Sequence, residues 1–167
     1  GIIVGMVTLT GLGQRIGAGM FQVVGGNVFL GLGCAMITSL VLGMGVSTTS
    51  NYIITSTVAA PILIKLGIPL LAAHMFCFYF GIIADITPPV ALAAYAGSAI
   101  ARGNPFRTGV NASKLAIAAF LVPYMFALNP KLIMIGGTFA EALPMILTAL
   151  VGLFGIGGGL IGYLNAP

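Results

Sequence analysis

Two short stretches place reactive residue types where they are costly to keep. The first is Gly43-Met-Gly-Val-Ser-Thr-Thr-Ser-Asn-Tyr52, in which Ser47, Thr48, Thr49, Ser50 and Asn51 interrupt a segment, 28–64, that contains no charge. Hydroxyl, amide and freed backbone carbonyl oxygens are the hard ligands an alkali cation takes. Gly43 and Gly45 loosen the backbone, which at membrane depth is tolerated only where it lines a protein-enclosed cavity. If the chain turns helical near Thr48, then Ser47, Asn51 and Thr55 share one face. The positive end of that helix then faces the same cavity, which suits an anion.

The second stretch is Asp85-Ile-Thr-Pro-Pro89, in the middle of a long apolar run. Adjacent prolines remove two amide donors and push the preceding residue out of helical geometry, so a discontinuous helix is expected. Thr87 is placed to cap its second half, with Pro88 at the first helical position. Asp85 is the sole acid in any long apolar run. An ionisable group there is a functional candidate by default. The alternative is that Asp85 simply caps amides freed at the break.

The elements that must carry these stretches follow from composition. Of 167 residues, 59% are hydrophobic and 5% charged, with a mean hydropathy of +1.18. A soluble domain carries about 25% charged residues, and disordered chains are poor in apolar residues. The chain is therefore expected to be an all-α, polytopic integral membrane protein. Six Lys and Arg against two Asp and Glu leave a net charge of +4. The basic residues are scattered through the loops, which is no nucleic-acid signature. They act as topology markers, and Arg102, Arg107 and Lys114 place the loop 102–114 in the cytoplasm. Gly1 opens inside an apolar run without a basic leader, so a segment of a longer polypeptide is expected, with no signal peptide.

Apolar stretches and breakers divide the chain. Residues 1–13 read as the end of a membrane helix, and 14–27 as a connection. Residues 28–45 and 52–64 flank the polar stretch, and Lys65, Gly67 and Pro69 stop the second arm. They are either two spans joined by a surface turn or the arms of a re-entrant hairpin, 28–67. The 13-residue second arm is short for a crossing and favours the hairpin. The broken helix runs over 70–101, a helix opens at Lys114 and closes at about Leu128, and a last apolar segment covers 142–164.

Other features carry less. His74 and Asp85 share a face but stand roughly 16 Å apart along a helix, too far for a dyad. Gly157-Gly-Gly-Leu-Ile-Gly162 follows no strand, so its match to a dinucleotide fingerprint is formal. Asn111-Ala-Ser113 is a chance sequon. Cys34 and Cys77 sit inside apolar runs as small hydrophobes.

The stretches GMGVSTTSNYIITSTVAAPILIKLGIP and AAHMFCFYFGIIADITPPVALAAYA together resemble the large permease subunit of TRAP transporters, the tripartite ATP-independent periplasmic transporters, most closely fused small-plus-large permeases. The likeness covers 1–128, as the second of two inverted repeats, with 129–167 similar to the additional C-terminal transmembrane helix of fused forms. It departs at Val46-Ser47 and Ser50, where Leu-Pro and Ala are commoner. The resemblance implies a bacterial or archaeal inner-membrane permease that imports organic anions, often carboxylates. A periplasmic solute-binding protein, of the TAXI class for fused forms, would deliver them, and a sodium or proton gradient would drive uptake. It implies substrate contacts from Ser47, Thr48, Asn51 and Thr87, and a cation site from Gly45, Thr49, Asp85, Thr87 and Pro88. Na+ is then the coupling ion, no cofactor is needed, and the N-terminal part of the permease and the bilayer are partners. The rivals are a non-transporting structural subunit or fragment, and an intramembrane enzyme. The enzyme lacks a second acid and metal-ligand spacing.

Overall fold

A computed structural model describes residues 2–162, and among these the regular structure is helical. Ten helices follow one another: α1 Ile2–Leu9, α2 Leu12–Val24, α3 Val28–Gly43, α4 Thr48–Val58, α5 Ala60–Lys65, α6 Leu70–Ile83, α7 Leu92–Ile100, α8 Pro105–Leu115, α9 Ile117–Leu128 and α10 Phe139–Ile161. Short 3-10 turns at Ala84–Ile86 and Pro130–Ile133 join the set.

The middle of the molecule is α6. Ala72, Ala73, Phe76, Cys77 and Phe80 are fully buried along it, with α3, α4 and α9 packed around it. Small residues let the neighbours approach, and the aromatic rings fill what remains. Phe76 and Phe80 lie 4.8 Å apart between ring centroids, and Tyr124 of α9 stands edge-on to both at 5.4 and 5.9 Å. Such tilted and edge-to-face pairs are the preferred geometry of aromatic quadrupoles.

The arms α3 and α4–α5 fold back on each other through the turn at 44–47. With 16 residues, α3 is about 24 Å long against a hydrocarbon core of about 30 Å. The second arm is divided at Ala59–Ala60 into helices of 11 and 6 residues. Among the described residues one helix, Phe139–Leu160 within α10, is long and apolar enough to cross a bilayer alone, and α8 with α9 can form a second span bent by 41°.

Three boundaries differ from the sequence expectation. Residues 14–27 are no loose connection, because α2 fills most of them between left-handed Gly11 and Gly25. Gly17 on its buried side brings α2 onto α4, where a Cβ would stand 3.3 Å from the Val58 carbonyl. Residues 102–114 are no loop: Asn104 accepts a hydrogen bond from the Arg107 amide at 3.0 Å and Pro105 opens α8. Asn-Pro, read as a stop, is equally a helix start. Lys114 therefore lies in the last turn of α8, and the following helix opens at Ile117. Of the last apolar segment, residues 163 and 164 fall outside the described residues.

Candidate functional site

The expected break in the second apolar run is present. Helix α6 ends at Ile83, a 3-10 turn covers Ala84–Ile86, a cis bond joins Pro88 to Pro89, and α7 resumes at Leu92. The break is placed differently from expectation at one point. Thr87 does not cap the second half with Pro88 at its first position. Its hydroxyl turns back and donates to the Ile83 carbonyl at 2.8 Å. The Ala91 amide closes the gap by donating to the Thr87 carbonyl at 3.1 Å, with Ala91 itself left-handed at φ 37°.

Backbone carbonyls around such a break lose helical partners, and each one left bare is costly where water is scarce. Four carbonyls at or beside the break accept from side-chain donors in four places. Asn51 Nδ2 of α4 donates to Gly81 at 2.7 Å, Thr87 to Ile83, Ser113 Oγ of α8 to Ile86 at 3.2 Å, and Tyr95 OH of α7 to Pro89 at 2.9 Å. The discontinuity is thus a hydrogen-bonded junction of α4, α6, α7 and α8.

The tip of the α3–α4 arm lies against this junction. A Cβ on Gly43 would stand 2.9 Å from the Gly81 carbonyl and 3.0 Å from Ala84 Cβ. Gly45 takes φ +74°, and a Cβ there would come 3.8 Å from Val90. The two candidate stretches, thirty and more residues apart in sequence, are neighbours in space.

Within the tip the residues divide into two groups. Ser47, Thr48 and Thr49 are exposed. Ser47 sits at the N-cap of α4 with extended backbone, and its hydroxyl donates to Ser50 Oγ at 3.2 Å, leaving the helix amides without a side-chain cap. Asn51 and Thr55 are buried at 2% and 0% exposure. Thr55 spends its hydroxyl on the Asn51 carbonyl at 2.9 Å. The Asn51 amide is wedged between Gly43 and Gly81. Its Nδ2 is satisfied and its Oδ1 is buried without a partner. A buried acceptor in that state is rare and asks for a ligand or water. Asp85 is half-buried in the 3-10 turn, and among the described residues its carboxylate caps no backbone amide.

Sequence reasoning found the tip and the break but missed Gly81, Tyr95 and Ser113. Gly81 is one small residue in an apolar run, and Tyr95 and Ser113 become donors to the junction only once α7 and α8 are in place. His74, expected to be interfacial or packed, pairs through Nδ1 with Tyr52 OH at 3.0 Å, tying α6 to α4.

A family model described as "Tripartite ATP-independent periplasmic transporter, DctM component" matches residues 1–140. The chain belongs to that family. DctM is the large permease of TRAP transporters, a transporter family rather than an enzyme family. Its permeases are integral to the inner membrane and work with a periplasmic solute-binding protein. In this DctM chain the matched region holds the tip, the break and all four donors, and it ends as α10 begins. No curated protein and no solved structure matches the chain.

Proposed function

We propose that this DctM chain supplies the second inverted repeat of a permease that imports organic anions, carboxylates first among them, on a sodium or proton gradient. In this reading α3–α5 form a re-entrant hairpin and α6–α7 the discontinuous helix, with α10 the additional span of a fused small-plus-large permease. A TAXI-type binding protein delivers the solute.

The observation that carries the reading is the Asn51 amide, held between Gly43 and Gly81 with Oδ1 buried and unpartnered. It sits where the tip meets the break, and the two provide oxygen ligands of the hardness a sodium ion takes. Gly45, Thr49, Asp85, Thr87 and Pro88 are the proposed cation ligands, through carbonyl, hydroxyl or carboxylate oxygens. Ser47, Thr48, Asn51 and Thr87 are the proposed substrate contacts. The Ser47 and Thr48 hydroxyls can turn to donate to a carboxylate. Asn51 Oδ1 and the Thr87 oxygen, whose donors are given to Gly81 and Ile83, reach the anion through a co-bound cation. The N-terminus of α4 offsets the anion's charge. Such convergence of broken helices near mid-membrane is how secondary transporters build sites.

The test is uptake into proteoliposomes containing the complete permease, with its binding protein outside and labelled C4–C5 carboxylates as solutes. Uptake that needs an inward sodium gradient and the binding protein supports the reading. Uptake that ignores sodium and collapses with a proton gradient keeps the permease and moves the coupling role to Asp85. No uptake by folded protein under any gradient overturns the carboxylate assignment.

A further inference from the structure

Two adjoining cavities lie beside the junction, and no residue of the tip lines either. One, of about 330 Å³, is formed where the break meets the bent pair α8–α9, and its walls include Pro88, Val110, Lys114 and Phe120. Apart from the Thr87 and Ser113 hydroxyls, already bonded to the Ile83 and Ile86 carbonyls, and the Lys114 ammonium, its wall side chains are hydrocarbon. The other, of about 400 Å³, is lined by Arg107, Asn111 and Lys114 with Phe106 and Val110. The second runs along α8 alone, and Val110 and Lys114 line both, so the two adjoin across these side chains. Arg107, Asn111 and Lys114 recur at i, i+4 and i+7 and share one face of α8. No carboxylate lines either cavity. Together they make a two-part receptacle, one part cationic with an amide side chain and the other apolar, beside the break between α6 and α7.

We propose that this receptacle binds an anionic phospholipid, its phosphate held by Arg107, Lys114 and Asn111 and the start of an acyl chain lying over Val110 against Pro88 and Phe120. The occupant follows from the pairing of compartments. A small free anion would use the basic half and leave the apolar half bare. A neutral lipid tail would use the apolar half and leave two cations without a partner. Basic clusters at the cytoplasmic ends of membrane helices bind anionic headgroups through such charge-assisted bonds, and the positive-inside expectation puts Arg102, Arg107 and Lys114 on that side. Because Pro88 is part of the wall and Ser113 of the same helix bonds to the Ile86 carbonyl, the lipid would brace the junction from outside. This goes beyond transport itself and does not depend on which solute or ion is carried.

The test uses the complete permease, delipidated in detergent and titrated with phosphatidylglycerol, with phosphatidylcholine of the same chains, and with inorganic phosphate, bound species being counted by native mass spectrometry. Phosphatidylglycerol is expected to bind roughly tenfold more tightly than phosphatidylcholine. That preference should vanish in the Arg107→Gln, Lys114→Gln double variant and return in Arg107→Lys, Lys114→Arg. Val110→Trp, which fills the shared wall, should weaken phosphatidylglycerol while the charges remain. Lys131→Gln, in an ion pair elsewhere, should change nothing. Inorganic phosphate competing on equal terms would make the site one for soluble anions and overturn the proposal. Equal binding of the two lipids, or a preference untouched by the charge variants, would overturn it too, and would point to another part of the permease covering this face.

Discussion

Asn51 and Gly81 are thirty positions apart in the chain and 2.7 Å apart in space, the amide of one donating to the carbonyl of the other. The bond has no slack, because a Cβ at position 81 would stand 2.8 Å from both polar atoms of the Asn51 amide. Gly81→Ala should therefore push the amide aside and cost about 1–3 kcal/mol through the unpaired carbonyl. Asn51→Ala should cost a similar amount. Thermal unfolding of the purified permease measures both, and a melting temperature unchanged in Gly81→Ala would refute the contact.

Asp85 and Thr87 are neighbours with separable roles. Asp85 caps no backbone amide among the described residues, so Asp85→Asn should leave thermal stability nearly unchanged while cutting gradient-driven uptake at least tenfold. Thr87 donates to the Ile83 carbonyl, so Thr87→Ala should lower stability by about 1 kcal/mol, and Thr87→Ser should restore it. Uptake and melting curves on the three variants separate an ion-site acid from a structural one. Full transport by Asp85→Asn would remove Asp85 from the proposed cation ligands.

Tyr95 and Ser113 each supply one donor to the break. Tyr95→Phe and Ser113→Ala should each destabilise by about 0.5–1.5 kcal/mol. Because both act on one junction, the double variant should depart from the sum of the singles. A strictly additive cycle would mean that the two carbonyls are solvated independently.

Gly109 is where α8 meets the break. A Cβ there would approach Tyr95 at 3.1 Å and Ala91 and Pro88 at 3.3 Å. Gly109→Val should overpack the contact by about 1–3 kcal/mol, while Gly103→Val, whose Cβ would meet only Thr108 Oγ1 at 3.7 Å and the Ser98 carbonyl at 4.0 Å, should be milder. Equal melting temperatures for the two would show that α8 does not press on the break.

How much of this was legible beforehand varies by residue type. The break was legible because two prolines delete donors whatever the tertiary context, and the tip because five polar residues sit within an uncharged run. What resolves the break was not. The spacing predicts Thr87 as a cap, yet its hydroxyl finds a carbonyl one turn back, on Ile83. Helix α2 was hidden by its glycines, which lower helix propensity but also allow the close approach at Gly17. Helix α8 was hidden because Asn104-Pro105 signals both an end and a beginning. The family was legible from the tip and break motifs taken together.

The exposed pair Lys131 Nζ–Glu141 Oε2, at 2.9 Å, joins the turn before α10 to its first turn. With both side chains about half exposed, Lys131→Ala should cost no more than about 1 kcal/mol. That loss should shrink in high salt.

Helix α10 has 6% of its apolar window buried, with Leu147, Leu150, Val151 and Phe154 facing outward. It satisfies its own backbone and is long enough to cross, so it can partition into the bilayer as an autonomous unit. The arms α3 and α4–α5 are shorter, and their polar turn finds its place only against Gly81 and Ala84. Biogenesis should then run in two stages. Long segments such as α10 integrate singly, and the short arms settle afterwards, once α6 stands ready as their mould.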